Sequence, residues 1–499
     1  MKNLLLALLF VGALTIHNET IYSNEIDEII VTSSYIDTNL SDLDDPIHVI
    51  GGDDTTFDST VSLGESLDNL LGVQSSDFGS AVGHPIIRGL SGNRVRIMNN
   101  GKTLRDVANV GDDHMNEVDL NGIQQIEIVR GPSSLLYSSG TVGGIVNIID
   151  NTIAREDFKA PELNIGLETQ SVNDGEVGSF SYQNNIGGFN VSLAYKDSQF
   201  DNYDIPNGAI IHSEDEHHDE DEHEEEIDYF NKDYSETSFA VNFSREVNDN
   251  FTVSLGLARV ERAPSAKELY MNGAHLVTGR FEVGNTELES ESANNIDLNL
   301  FYKNNNFSFR GNIFKNDIDN YIYLQDETEE EHEEHEEHGD HDDHGGLILA
   351  NFLQKDAELE GYEFEISQIF TFDRGNLTLS LGRDSVTGEF KNGMNIPRIV
   401  PARNIITVSY SEDNLLARLT YKDVEEQNDI GEGETETEAY EMLDFSLKKI
   451  FVLNNQNEIS LTLFGKNLLD EVARNHASFV KNEVPLPGRN YGLKLNYKF

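Results

Sequence analysis

From about residue 159 to the end of the chain, apolar and polar side chains alternate in segments of 9 to 14 residues, separated by clusters of Asn, Asp and Gly. FNVSLAYKD (189–197), FTVSLGLARVER (251–262), NNIDLNLFYK (294–303), NLTLSLGRD (376–384), EISLTLFGKNL (458–468) and NYGLKLNYKF (490–499) are examples. A period of two places alternate side chains on opposite faces, so each segment predicts a strand with one apolar and one polar face. The connections alternate between short, such as EVNDN and NNN, and long and acidic. That asymmetry, with segments long enough to cross a bilayer as tilted strands, predicts a transmembrane β-barrel with tight turns at one rim and long loops at the other. A soluble β-sandwich or β-solenoid is the competing reading. The last segment disfavours it, because Tyr491, Leu493, Leu495, Tyr497 and Phe499 share one face and the chain stops on that aromatic.

Residues 24–158 differ in texture, with more Gly and shorter alternation, and predict a separate globular α+β domain. VRIMNNGKTL (95–104) reads as a hairpin turning on Asn-Gly. IEIVRGPSSLLYSSGTVGGIVNIID (126–150) reads as strand, turn, short helix, Gly-rich turn and strand. The N-terminal MKNLLLALLFVGALTI has one lysine before an apolar run of about a dozen residues. That is the length of a secretory signal core rather than of a spanning helix, with a cut expected near Ser23. No later stretch approaches the roughly 20 apolar residues of a transmembrane helix.

The 499 residues carry 90 acidic and 35 basic side chains and no cysteine, for a formal charge of −55. Such a balance excludes nucleic acid and anionic headgroups as partners and suits a surface that attracts cations. Without thiolates, any metal must be held by His, Asp and Glu. Nine of the fifteen histidines sit in two acidic tracts, 211–226 (His212, His217, His218, His223) and 329–346 (His332, His335, His338, His341, His344). Tracts this polar cannot bury a core. In the second, the histidines recur every third residue, which drifts by about 60° per step on a helix and alternates faces on a strand. That spacing predicts many weak, fast-exchanging sites that concentrate divalent metal, not one four-ligand site. Arg88, Arg94, Arg96 and Arg130 are read as ion-paired to an acidic wall rather than as an anion site, and His48, His84 and His476 as structural.

Arg130, Gly131, Pro132, Leu136, Tyr137, Gly140, Gly143, Gly144, Asn147 and Ile148, with the upstream HPIIRGLSGNRVRIMNNG (84–101), resemble the plug motif of TonB-dependent outer-membrane receptors. EIDEIIVTSS (25–34) resembles a TonB box at Glu28, Ile29, Ile30, Val31 and Thr32, the segment that the inner-membrane energy transducer captures by strand pairing. Within that family, GDDHMNEVD (111–119) and ERAPSAKELYMNGAHLVTGRFEVGN (261–285) resemble the zinc receptors. The resemblance implies Asp113 and His114 as metal ligands on the plug and His275 as a ligand on a barrel loop, with a fourth ligand open. It implies a signal peptide (1–23), a box segment (24–35), a plug (36–158) and a transmembrane β-barrel (159–499). The expected activity is import of zinc across the cell outer membrane with the TonB complex, after insertion by the barrel-assembly machinery. Zinc is then cargo; no covalent reaction and no resident cofactor are expected.

One count departs from the family. About 14 strands are legible between residues 159 and 499, where plugged barrels have about 22. A plug of roughly 125 residues has a radius of gyration near 14 Å, too large for a closed 14-stranded lumen. The break is expected near residues 228–238, as an internal loss of about eight strands. Two rivals follow. A siderophore or haem receptor calls for aromatic, Arg-rich outer loops; a non-transporting surface metal-binding protein calls for metal binding independent of the box and of Asp113.

Overall fold

The computed structural model describes residues 30–31, 38–39 and, from residue 47, most of the chain; outside the described part lie chiefly 1–29, 32–37, 40–46, 52–61, 137–139, 151–158, 207–235, 329–345 and 454–456, with a few shorter gaps. The signal segment, Glu28, Ile29, Thr32, Tyr137 and all nine tract histidines fall outside it. The two described box residues form β1 (Ile30–Val31), paired with β2 (Thr38–Asn39).

The plug is built on a five-stranded sheet of β3 (Ile47–Gly51), β6 (Val95–Asn99), β7 (Lys102–Thr103), β8 (Ile123–Arg130) and β9 (Gly144–Asp150), ordered β3-β8-β9-β6-β7. The short helix α1 (Leu63–Leu67), capped by the Ser62 hydroxyl accepting from the Glu65 amide at 3.1 Å, leads into the pair β4 (Val73–Asp77) and β5 (Gly83–Ile87). The expected Asn-Gly turn joins β6 to β7, with Asn100 and Gly101 at φ 50° and 76°. Ile126, Ile128, Val146 and Ile148 pack with Leu63 and Leu67 into the plug's own core.

The remaining strands are β10 (Glu162–Gln170), β11 (Gly175–Ile186), β12 (Phe189–Gln199), β13 (Phe239–Asn248), β14 (Phe251–Arg262), the outer hairpin β15 (Asn272–His275) and β16 (Arg280–Val283), then β17 (Glu291–Lys303), β18 (Phe307–Asp326), β19 (Ile348–Phe372), β20 (Gly375–Phe390), β21 (Arg403–Glu412), β22 (Leu415–Val424), β23 (Tyr440–Val452), β24 (Glu458–Lys466) and β25 (Asn490–Lys498). All but β15 and β16 form one antiparallel wall in the order β12-β11-β10-β25-β24-β23-β22-β21-β20-β19-β18-β17-β14-β13. Fourteen strands lie on that path, as the alternation predicts. Leu257, Ile296, Leu298, Ile313, Leu381, Ile406 and Leu463 point outward and exposed, while Asn295, Asp297, Asn312, Glu363 and Asp384 are buried on the inner side. This is the apolar-out, polar-in division of a membrane barrel.

β10 pairs with β25 through seven registered positions, from Asn164↔Lys498 to Gln170↔Gly492, so the first and last strands of the wall meet. Instead, the wall ends at β12 and β13, which are not paired with each other among the described residues. The opening thus falls where the sequence count places the loss.

The plug is fastened to this wall by apolar contact and by ion pairs. Ile86, Leu90 and Val142 pack against Val260, Ala293, Phe314 and Ile318. Arg88 reaches Asp297 at 2.5 Å and Glu363 at 2.8 Å, Arg130 reaches Glu363 at 2.5 Å, and Arg94 pairs with Glu291. Three of the four arginines read as wall-paired are therefore seen so. Breaking one such buried pair from one side costs about 3–5 kcal/mol, because a charge is left without its partner.

Candidate metal centre

The wall carries an outer hairpin that reaches the plug. After β14, α2 (Ala266–Tyr270) starts on a capping box in which the Ser265 hydroxyl accepts from the Glu268 amide and the Glu268 carboxylate accepts from the Ser265 amide. β15 and β16 follow, joined through a turn that Gly279 completes at φ 66°. β16 adds in parallel to the outer end of β19, Arg280 opposite Ile348 and Val283 opposite Asn351. Arg280 grips Asp326 with two bonds of 2.9 and 2.6 Å, tying the hairpin to the end of β18. A side chain on this hairpin is thus held from two neighbouring strands.

His275 closes β15, and its Nε2 lies 3.0 Å from Oδ1 of Asp113 on the plug. Its other ring nitrogen, Nδ1, lies 2.7 Å from Oε1 of Glu282. The second Glu282 oxygen is 3.0 Å from Lys267 Nζ on α2. His114 follows Asp113, with Nε2 3.9 Å from the same Asp113 Oδ1 and a side chain 49% exposed, against 10% for Asp113 and 16% for His275. The buried His84 ring sits 2.6 Å from the His114 carbonyl and supports the loop that carries the pair. All three residues that the zinc-receptor resemblance implies are therefore neighbours around one carboxylate oxygen.

Zinc held at 2.0–2.2 Å by tetrahedral N and O ligands sets neighbouring donor atoms about 3.3 Å apart. The separations here, 3.0 and 3.9 Å, lie on either side of that value. The donor chemistry and spacing fit a small borderline cation, but the arc is open. Among the described residues, no three His, Asp or Glu side chains already stand as a set that could hold a metal ion.

The electrostatics fit a proton held where a cation would sit. The hydrogen bond to Glu282, opposed by burial and helped by Asp113, raises the His275 imidazole above its ordinary value. Burial pushes the Asp113 carboxyl up, but the hydrogen bond from His275 and the local backbone bring it below the usual range. Glu282 is likewise lowered, burial being outweighed by His275 and Lys267. By contrast, burial drives His476 down to about 3 and His48 well below its ordinary value. His476 Nδ1 lies 2.7 Å from the Thr437 hydroxyl, a structural contact.

Sequence reasoning missed Glu282. Glu282 follows His275 by seven residues, and only the β15–β16 register brings the two together. His84, read as structural, has that role: its ring supports the loop that carries Asp113 and His114.

An outer-membrane β-barrel receptor with a plug docked inside the wall is the class this fold defines. Residues 51–468 match the family described as TonB dependent receptor-like, beta-barrel, and the chain belongs to it. It is similar to the vitamin B12 transporter BtuB of Photobacterium profundum, 30% identical over 125 residues that make up 25% of this chain and 20% of that one. To the BtuB of Vibrio vulnificus it is 25% identical over 177 residues, 34% of this chain and 28% of the relative. The chain thus spans between a fifth and under a third of the length of these two curated relatives. Among solved structures it is similar in fold to the copper transporter OprC (TM-score 0.70, 12% identity, covering 91% of this chain and 98% of that one). The ferric enterobactin receptor PfeA of Pseudomonas aeruginosa is also similar (TM-score 0.65, 13% identity, 91% and 99% covered). The protein is accordingly one of the cell outer membrane.

Proposed function

We propose that the protein is a metal-ion receptor of this family whose cargo is zinc, taken up at Asp113, His114 and His275 and released to the periplasm by TonB-dependent movement of the plug. The observation that carries the reading is the 3.0 Å approach of plug-borne Asp113 to barrel-borne His275. A site shared by two bodies holds its ion while they touch and opens when one moves. No covalent chemistry is required of it.

The outer loops fit the same reading. Asp326 ends β18 and Ile348 begins β19, so the tract 329–346 joins the two strands on which the His275 hairpin rests. The Ile348 amide donates to the Gly279 carbonyl at 3.1 Å, and the Leu349 amide to Glu327 Oε1 at 2.6 Å. Metal captured by the tract's histidines would be concentrated within a few residues of the ligand pair. A siderophore reading finds less support, since Arg88, Arg94 and Arg130 are engaged by wall carboxylates and not free for an anion. Copper is the rival cargo, because nitrogen and oxygen donors bind Cu²⁺ at least as tightly as Zn²⁺. The open wall favours a further alternative, a surface metal-binding protein that does not transport.

The test is radiozinc uptake at low concentration into cells lacking their own zinc receptor, with excess unlabelled copper as competitor in a parallel arm. Deleting residues 26–32, or changing His114 or His275 to Ala, should abolish uptake; removing 329–346 should only weaken it. Equal and total loss from every change would end the division between capture loop and transport site. Zinc bound at the surface without box-dependent uptake would select the non-transporting alternative.

A further inference from the structure

We propose that Glu282 is the positioning residue of the metal centre: it accepts the Nδ1–H of His275 and so leaves Nε2 bare and aimed at Asp113. The inference rests on the metal reading above and adds to it the group that fixes which imidazole nitrogen ligates.

The two nitrogens of an imidazole point away from each other, so one ring cannot offer both to a single ion. In His275 one nitrogen lies 2.7 Å from Glu282 Oε1 and the other 3.0 Å from Asp113 Oδ1. The face on which a metal can enter is therefore the Asp113 face, and Glu282 stands across the ring from it. This excludes Glu282 as the open fourth ligand of the ion held at Nε2. A carboxylate on the far nitrogen of a metal-binding histidine fixes tautomer and ring plane and raises the basicity of the ligating nitrogen.

The hairpin is built to hold that contact. The register sets Gly273 opposite Glu282 and His275 opposite Arg280, so His275 and Glu282 are diagonal neighbours on one face. Glu282 is 1% exposed, and Lys267 approaches its second oxygen at 3.0 Å. With one oxygen paired to Lys267, the other faces the ring. The chain Lys267, Glu282, His275, Asp113 thus runs from α2 through the hairpin to the plug, each link between 2.7 and 3.0 Å.

The experiment uses the full chain in detergent with one equivalent of zinc competing against a chromophoric chelator, so that the tightest site fills before the loop tracts. Asp113→Ala and His275→Ala should remove this tight binding, which tests the site itself. Glu282→Ala should weaken it by about 10- to 100-fold, and Glu282→Gln, which keeps an acceptor oxygen, should recover part of the loss. One equivalent of Cu²⁺ then gives a pulsed electron paramagnetic resonance signal from the remote ring nitrogen of the ligating histidine. That signal should vary with its hydrogen-bond acceptor, shifting in Glu282→Gln and more in Glu282→Ala. If zinc binds Asp113→Ala and His275→Ala as tightly as the native chain, the metal reading itself falls. If those variants lose zinc while both Glu282 variants keep native affinity and an unshifted remote-nitrogen signal, the site stands and the role given to Glu282 is overturned. Should Glu282→Ala fail to fold, the isosteric Glu282→Gln decides by the spectrum alone.

Discussion

Gly131, in the plug motif Arg130-Gly131-Pro132, sits at φ 66°, where a side chain is strained, and a Cβ there would lie 2.8 Å from the Asp297 carboxylate that pairs with Arg88. The left-handed conformation alone costs a non-glycine residue about 1–2 kcal/mol. Gly131→Ala should therefore lower the urea midpoint of plug release, whereas Gly178→Ala, with open space around its Cβ and ordinary backbone, should not. Equal midpoints would show that the motif glycine is not needed for docking. Asp77 gives a second residue-scale expectation. Burial, with Asp68 and Glu65 nearby, outweighs the hydrogen bonds from Asn475 and Ser75 and raises its carboxyl to about 7. An acid raised in the folded state contributes stability that is fully present below its ordinary value of 3.8 and is lost as pH rises toward 7. Plug stability should fall across that window, and Asp77→Asn should flatten the dependence; an unchanged slope in the variant would place the titration elsewhere. At this scale Asp113, His114 and His275 could be singled out because they stand in recognisable segments, and the structure brings the three together. Glu282 was not, because its role depends on a cross-strand diagonal that no local pattern encodes.

The elements that set the site divide in the same way. Period-two alternation marks the wall strands, but it breaks in the outer part of β18, where Tyr321, Ile322, Tyr323 and Leu324 are all buried; β18 has 20 residues and β19 has 25. Roughly 9–11 residues cross the hydrocarbon, so these two strands extend beyond it and give β16 an edge to join. The hairpin itself was not legible as strands: β15 and β16 have four residues each, too few for a period to register. Their position is set by Arg280, which touches neither Asp113 nor His114 but binds Asp326 with two hydrogen bonds. Arg280→Ala should loosen the hairpin, speed hydrogen exchange at the Ile348 amide bonded to Gly279, and weaken zinc binding, although no ligand is changed. Arg398 also pairs with Asp326 at 3.3 Å, so the loss should be less than the roughly 3–5 kcal/mol of a fully orphaned charge. Native zinc affinity together with accelerated exchange would mean that His275 is held by the plug rather than by its own hairpin.

At the scale of the molecule, the wall poses a problem that its individual strands do not. β12 and β13 lie at the two ends of a fourteen-strand path, and among the described residues neither has a partner beyond β11 and β14 respectively. Unpaired backbone N–H and C=O groups cost several kcal/mol each in hydrocarbon, where no water satisfies them. Strands of 11 and 10 residues present enough such groups to outweigh the few kcal/mol by which a domain is ordinarily stable. Pulling the two edges together would require a lumen smaller than the plug that Arg88, Arg94 and Arg130 anchor to the wall. The count of strands was legible in the sequence; that the shortfall opens the wall at one seam was legible only by weighing plug size against strand number. The seam makes a definite prediction. In gels without boiling, a closed barrel migrates faster than its unfolded chain; the native chain should show no such shift. A chimera carrying about eight strands from a relative between Gln199 and Phe239 should show the shift and take up zinc faster than the native chain, again only with residues 26–32 present. If the native chain itself shows the shift, its edges are paired in the membrane and fourteen strands suffice around this plug. If the chimera closes and takes up zinc no faster than the native chain, the open seam does not limit transport.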